Sequence, residues 1–580
     1  MARVTGINSK QESNQSAGNS QAGGLSPDRA RFSLLRPLGV PRNEGNSPVL
    51  PDEADLGLSS IVRALDIDGR HNRTVSAILG ELNSDPAVIT YRQDVLYELL
   101  RLPALVEQFG LALPHLTELA NVGRTKHWDE NLPLPQVAAR LAELEIYVNC
   151  VEGLWSALES YRESAGTSSV GLQDLRAGLV RAREEAVYTN LTAELPRLRA
   201  RLNQASSVTL GINLDAQLRP ESATILSVNQ DRFNGKGTLL QRLLGEKAAA
   251  EAQRGSTNLY PASENRPRTP EHELFRELER ILEKVASPVA EALSRYTKVS
   301  SAWLAALEPE VAFYLGAVRL VRELGQAGLV FCRPVIAPAA ERAGVLIGCY
   351  SLDLALRLKG LNRQAEVVPN EVKFSATNHI FIITGPNSGG KTTYTRAVGQ
   401  AQVLFQAGLP VPALTARFSP VDAIYTHFAR EERAEANGGR LAQELNSLGQ
   451  IFRKASRQSL ILLNEPLTGT DHVSARSLGK DLLAGLKLLG ARAIFVTHLH
   501  ELLDDTALDP GNGIVSLIAV AAVPPANIGA TGTVFQPSYR VIPGLPCALA
   551  NAAELARQHG LSFSQITQTL RERGLITSEE

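Results

Sequence analysis

One stretch limits the folds open to this chain more than any other: Phe381–Thr393 reads FIITGPNSGGKTT. A β-prone apolar run, His379–Ile383, leads into Gly385, Pro386, Asn387, Ser388, Gly389, Gly390, Lys391 and Thr392, which fit G-x-x-x-x-G-K-[ST] in full, with a further hydroxyl at Thr393. Strand, glycine-rich turn and helix should follow one another here, because the glycines let backbone N–H groups turn inward around a phosphate chain. In that frame Lys391 places a point charge on the β- and γ-phosphates, and the Thr392 hydroxyl ligates Mg²⁺. The predicted helix Thr393–Phe405 adds its positive N-terminus to the same phosphates. A glycine-rich turn without a ligand is the competing reading; strand, lysine and hydroxyl together weigh against it. The motif implies a nucleoside triphosphate site.

Two later segments complete a candidate site. Ser459–Pro466 reads SLILLNEP, a buried-strand run ending in Asn464 and Glu465. In P-loop nucleotide hydrolases that position usually carries an Asp for Mg²⁺, followed in one large class by a Glu that polarises the attacking water. Glu465 is therefore the candidate base, and Asn464 is neutral where an anion is expected. Ala493–His498 reads AIFVTH, a third apolar strand whose terminal His498 can sense the γ-phosphate. Upstream, Asn437, Gly438 and Gly439 precede the helical pattern Leu441, Leu445, Leu448, Ile451. Asn437 is a good N-cap and the glycines allow close backbone approach. The motif order resembles that of the ABC-type ATPases, a class in which a helix start at this place reads the partner subunit's γ-phosphate; an ordinary Asn-capped loop is the alternative.

These residues, in this order, resemble the MutS family of DNA mismatch-repair ATPases. The resemblance is carried by ITGPNSGGKTTYTR (Ile383–Arg396), GLPVPALTARFSPVDAIYTHF (Gly408–Phe428) and NGGRLAQEL (Asn437–Leu445). It continues through LILLNEPLTGT (Leu460–Thr470), FVTHLHEL (Phe495–Leu502) and a tail, Tyr539–Leu561, similar to the family's closing strand and helices. It covers most of Val330–Gly574. The resemblance implies ATP and Mg²⁺ at Gly385–Thr393, Glu465 activating water, His498 as a switch histidine, a head-to-tail homodimer, and DNA as partner. Two positions depart from the family pattern: Asn464 replaces its Asp, and its Ser-Thr-Phe signature is replaced around Gly438–Leu441. Hydrogen bonds to a charged acceptor contribute about 1.5–3 kcal/mol against roughly 0.5–1.5 for a neutral one, so Mg²⁺ should be held more weakly.

The chain has 580 residues, which as a length prior means about four domains, and 44% apolar residues to fill their cores. Nothing approaches the roughly 18 consecutive apolar residues of a membrane span, and the first residues lack a signal-peptide core, so a cytoplasmic protein is expected. The four cysteines, Cys150, Cys332, Cys349 and Cys547, have no metal-ligand spacing and read as reduced core residues. A net charge of −1 gives no global argument for nucleic acid. Arg197–Arg201 and Arg357–Arg363 are basic, but each suits a solvated helix face better than a DNA contact. DNA therefore rests on the resemblance alone.

Along the chain, residues 1–52 are rich in Ser, Asn, Gln, Gly and Pro and are expected to be disordered. A helical region, 53–135, is announced by Tyr91–Leu100. From Val137 the residues Leu141, Leu144, Val148, Val151, Trp155 and Leu158 recur at alternating spacings of four and three, a heptad-like seam opening a helical core or lever domain, 136–329. A second helical run covers Gly171–Asn203. Val208–Leu214 and Ala223–Val228 flank a polar turn and predict a hairpin. After a polar linker, Gly245–Pro270, one helical pattern runs Glu271–Leu324, with a kink expected at Pro288. Long paired helices suit the family's levers; a plain helical bundle against the ATPase domain, 330–580, is the alternative.

The family's mismatch-reading Phe-x-Glu wedge finds no counterpart near the N-terminus. Phe275–Glu277 matches only by letters, within an amphipathic pattern. The expectation is thus an all-α lever domain joined to an α/β P-loop (ABC-type) ATPase domain, coupling hydrolysis to movement on DNA without direct mismatch readout. The alternative is a nucleotide-switched scaffold with negligible hydrolysis. A transporter subunit fits poorly, since the helices precede the P-loop.

Overall fold

A computed structural model describes residues 32–40, 53–123, 134–165, 169–203, 207–214, 216–217, 220–229, 231, 270–297, 299–386, 389–429, 440–503, 513–522, 536–545, 560–573 and 575. The chain divides into two compact units: residues 1–31, 119–148 and 182–303, and residues 32–118, 149–181 and 304–580. Among the described residues no helix is long and apolar enough to cross a membrane.

The first unit is a helical bundle with one hairpin. Its core joins Val137, Leu141 and Leu144 to Leu191, Leu195 and Leu198 of helix Ala186–Asn203, and to Val289, Leu293 and Tyr296 at the end of helix Pro270–Ser294. The seam residues Leu141 and Leu144 thus bury as the spacing requires. The expected hairpin forms: β1 (Ser207–Leu214) pairs antiparallel with β2 (Pro220–Asn229). Leu210, Ile212 and Leu226 remain exposed on it.

The single helical run expected over Glu271–Leu324 is broken. Helix Pro270–Ser294 passes through Pro288, and the chain turns at 295–297 before the short helix Ala302–Ala305 and the long helix Glu308–Gln326. In the first unit the break has its own polar support. The buried Arg140 guanidinium donates to the Tyr296 and Val299 carbonyls at 2.8 and 2.9 Å, and pairs with Glu143 at 2.8 Å. Ser301 donates to the other Glu143 oxygen at 2.5 Å. The Arg140 side chain thus caps those carbonyls where the helix ends, which periodicity cannot reveal.

The second unit holds two sheets. β3 (Val335–Ile336), β4 (Gly344–Cys349), β5 (Asn370–Phe374) and β7 (Thr415–Phe418) form a four-stranded sheet in the order β3-β7-β4-β5. β6 (Asn378–Thr384), β8 (Ile424–Phe428), β9 (Leu460–Asn464), β10 (Arg492–Val496), β11 (Gly513–Ala522) and β12 (Gln536–Pro543) form a six-stranded sheet in the order β12-β11-β6-β10-β9-β8. All neighbours in it run parallel except β11 and β12. β9 and β10 are buried at every position, which is why they read as continuous apolar runs. Helices Arg440–Lys454 and His472–Leu489 cover them through Leu448, Ile451, Leu483 and Leu486.

Residues 32–40 fall within the stretch expected to be disordered, yet they form a bent segment held from several sides. Leu34 is 1% exposed. Its amide donates to Glu310 at 2.6 Å, its carbonyl accepts from Tyr314 at 2.8 Å, and the Leu35 carbonyl accepts from Arg92 at 2.9 Å. FSLLRPLGV carries enough apolar side chains to bury, and the surrounding polar composition conceals them. Cys150, Cys332 and Cys349 are free thiols, with burial pushing Cys332 up to about 11 and Cys150 and Cys349 up to about 12; Cys547 lies outside the described residues.

Candidate nucleotide site

The glycine-rich turn follows β6 directly. Gly385 has φ 132° and Gly390 φ 91°, in the region closed to most side chains. A Cβ on Gly385 would meet the Ala519 carbonyl of β11 at 2.9 Å, so the turn has no room for one. Helix Lys391–Gln406 starts two residues before the expected Thr393. Lys391 is 4% exposed, and its ammonium donates to the Gly385 and Pro386 carbonyls at 2.8 and 3.0 Å. Burial lowers its pKa, and the Glu465 carboxylate opposes that. Asn387 and Ser388 lie outside the described residues.

β6, β10 and β9 are adjacent and parallel, so the three motif strands end side by side. The Thr497 amide donates to the Ile383 carbonyl and the Glu465 amide to the Val496 carbonyl, each at 3.0 Å. The Thr392 hydroxyl donates to Asn464 Oδ1 at 3.1 Å. This pair offers two hard oxygen donors at one point, and both residue types suit Mg²⁺. Glu465 Oε1 lies 2.9 Å from His498 Nε2 and 3.9 Å from Lys391 Nζ. The hydrogen bond from His498 chiefly holds the Glu465 carboxyl below its usual value, with burial opposing and Lys391 assisting. Glu465 itself sits at φ 53°, a conformation that costs roughly 1–3 kcal/mol and tends to mark functional positions. Lys391, Thr392, Asn464, Glu465 and His498 are thus brought together; Asn437, Gly438 and Gly439 lie outside the described residues.

Sequence reasoning missed a cavity of about 250 Å³ beside this turn, lined by Gly390, Thr393, Tyr394, Asn370 and Tyr539 among others. Tyr539 interrupts β12 at φ 56°, next to a register irregularity between β11 and β12. Asn370 braces it, donating to the Tyr539 carbonyl at 3.1 Å and accepting from the Val541 amide at 2.7 Å. The tyrosine was visible only as part of a closing strand; its strained backbone had no signal in the sequence.

Comparison with known proteins fits this geometry. The family model described as MutS domain V matches residues 381–522, which contain all three strand ends, and the one described as the MutS2 N-terminal domain matches residues 84–327. This chain belongs to the MutS family. It is 29% identical over 217 residues to the protein named Endonuclease MutS2 of Pelotomaculum thermopropionicum, covering 37% of this chain and 26% of that one. The MutS2 protein of Thermomicrobium roseum is 28% identical over 310 residues, 52% of this chain and 35% of that one. The DNA mismatch repair protein MutS of Haloquadratum walsbyi is 36% identical over 140 residues, covering 24% and 15%. The matched stretches thus span about a sixth to a third of these relatives' own lengths.

Proposed function

We propose that this MutS-family chain is a DNA-associated ATPase. Lys391 would neutralise the β- and γ-phosphates, with Gly385 to Thr393 wrapping them, and the cavity by Tyr539 would take the base. Thr392 and Asn464 would hold Mg²⁺, which would supply positive charge to offset that of the phosphates. Glu465 would orient a water for attack and accept its proton, and His498 would hold that carboxylate in place and respond to the γ-phosphate. The observation that carries the reading is the meeting of Glu465 with His498 at 2.9 Å and Lys391 at 3.9 Å beside the glycine turn.

Asn437, Gly438 and Gly439 would complete a partner's site in a head-to-tail homodimer. Hydrolysis would release that interface and move the helical levers on DNA, in repair or recombination without direct mismatch readout, in the cytoplasm. These steps rest on family membership. The nucleotide-switched scaffold remains the second reading because Asn464 is neutral where an anionic Mg²⁺ ligand is usual.

Steady-state ATPase assays on the wild type and Asn464→Asp separate the two. The ATPase reading expects clear wild-type turnover, with the variant needing several-fold less Mg²⁺. A wild type at background that gains activity only as Asn464→Asp supports the scaffold. Titration with duplex and branched DNA across a salt series tests the partner: binding that weakens as salt rises is expected, and no binding with or without ATP contradicts it.

A further inference from the structure

Helix Arg440–Lys454 carries one carboxylate that does not belong to a solvated face. Glu444 is 8% exposed, and a buried glutamate is rare unless paired. Its Oε1 accepts from the Leu467 amide at 2.6 Å and lies 3.2 Å from His427 Nε2 on β8. Ser447, one turn further on, lies 3.3 Å from the other nitrogen of that imidazole. Burial alone would raise the Glu444 carboxyl, but the hydrogen bonds from His427 and the Leu467 amide hold it below its usual value.

The amide that Glu444 grips is two residues past Glu465. Glu465 and Leu467 both have left-handed backbones, φ 53° and 69°, and such residues persist only where their surroundings over-determine them. This turn is pinned at two amides: Glu465 to the Val496 carbonyl at 3.0 Å, and Leu467 to Glu444. Between those pins the Glu465 side chain is directed at His498 and Lys391.

We infer that Glu444 is a positioning residue for ATP hydrolysis: with His427 it fixes the turn that aims the Glu465 carboxylate. The inference rests on the hydrolysis reading above. Glu444 exchanges no proton with substrate; it acts through the backbone.

The test compares wild type, Glu444→Ala and Glu444→Gln by kcat, KM for ATP, nucleotide affinity and hydrogen exchange of the peptide covering Glu465–Thr470. Glu444→Ala should lower kcat roughly 10- to 100-fold, the scale on which misplaced catalytic groups lose rate. ATP affinity should stay within about twofold, since phosphate and base contacts are untouched, and exchange at Glu465–Thr470 should rise. Glu444→Gln keeps an oxygen acceptor for the Leu467 amide and should recover kcat to within about fivefold of wild type. A Glu444→Ala enzyme at the wild-type rate would overturn the inference, as would a slow one whose exchange at Glu465–Thr470 is unchanged. If Glu444→Ala does not fold, Glu444→Gln decides: a folded enzyme more than about tenfold slower with normal exchange is a contradiction, and near-wild-type rate and exchange support it. A wild type with no turnover fails the hydrolysis reading itself, a separate outcome.

Discussion

Two polar clusters, one in each unit, are built from similar pieces and differ in what they hold. Around Arg140, guanidinium and carboxylate are both sealed, 2% and 4% exposed, and their partners are carbonyls and a hydroxyl at the break after Ser294. Around Lys391 the ammonium is sealed at 4%, but Glu465 and His498 are 28% and 42% exposed. The second cluster stands on positive-φ backbone at Gly385, Gly390 and Glu465, strained at Glu465; among the described residues the first contains no left-handed position. A cluster that closes on itself sets the path of the chain. One that keeps members open to solvent on strained turns is arranged to meet something else.

The sharpest way to break this contrast is Arg140→Ala. It leaves Glu143 buried without its ion partner, and unfolding by denaturant should lose about 3–5 kcal/mol. ATP affinity should be unchanged. A stability loss under about 1 kcal/mol would remove the cluster's structural role. Lys391→Ala should do the reverse. It removes charge-assisted bonds to the phosphates, so calorimetric titration should show ATP affinity falling about 100-fold or more, at a smaller cost in stability. Unchanged affinity would sink the phosphate-loop assignment.

Tyr539→Ala sharpens the contrast within the site. Loss of an aromatic face for the base should weaken ATP about tenfold, taking stacking at the low end of its range, while tripolyphosphate binds as before. Equal loss for both ligands would place the base elsewhere. The smallest effect expected is from His498→Ala. Its hydrogen bond lowers the Glu465 pKa, so removing it should move that pKa up. Because the carboxylate is the working form, the acid limb of kcat/KM should move to higher pH. A limb that stays in place would mean that Glu465 does not set it.

The site was legible in the sequence because its chemistry is local. A glycine turn, a lysine and three apolar strands ending in Thr384, Asn464 and Val496 can each be recognised alone, and parallel pairing then brings them together. Tyr539, Asn370 and Glu444 were not legible. They act across 169, 171 and 23 residues of sequence on backbone groups, which leave no residue-type pattern. In the helical unit, periodicity gave the buried seam at Leu141 and Leu144 but not the break after Ser294, because Arg140 reaches those carbonyls from 156 and 159 residues away. The bent segment at Leu34 and Leu35 was hidden by its polar surroundings in the same way.

Glu465→Gln tests the central claim most directly, with ATP affinity and single-turnover hydrolysis measured on the same preparation. The amide keeps the shape of the side chain and loses its basicity. ATP and Mg²⁺ should bind as in the wild type, while hydrolysis slows by about 10²–10⁴-fold, the usual contribution of a positioned acid–base group. A variant that hydrolyses ATP at the rate of an active wild type would contradict the account and leave His498 as the next candidate.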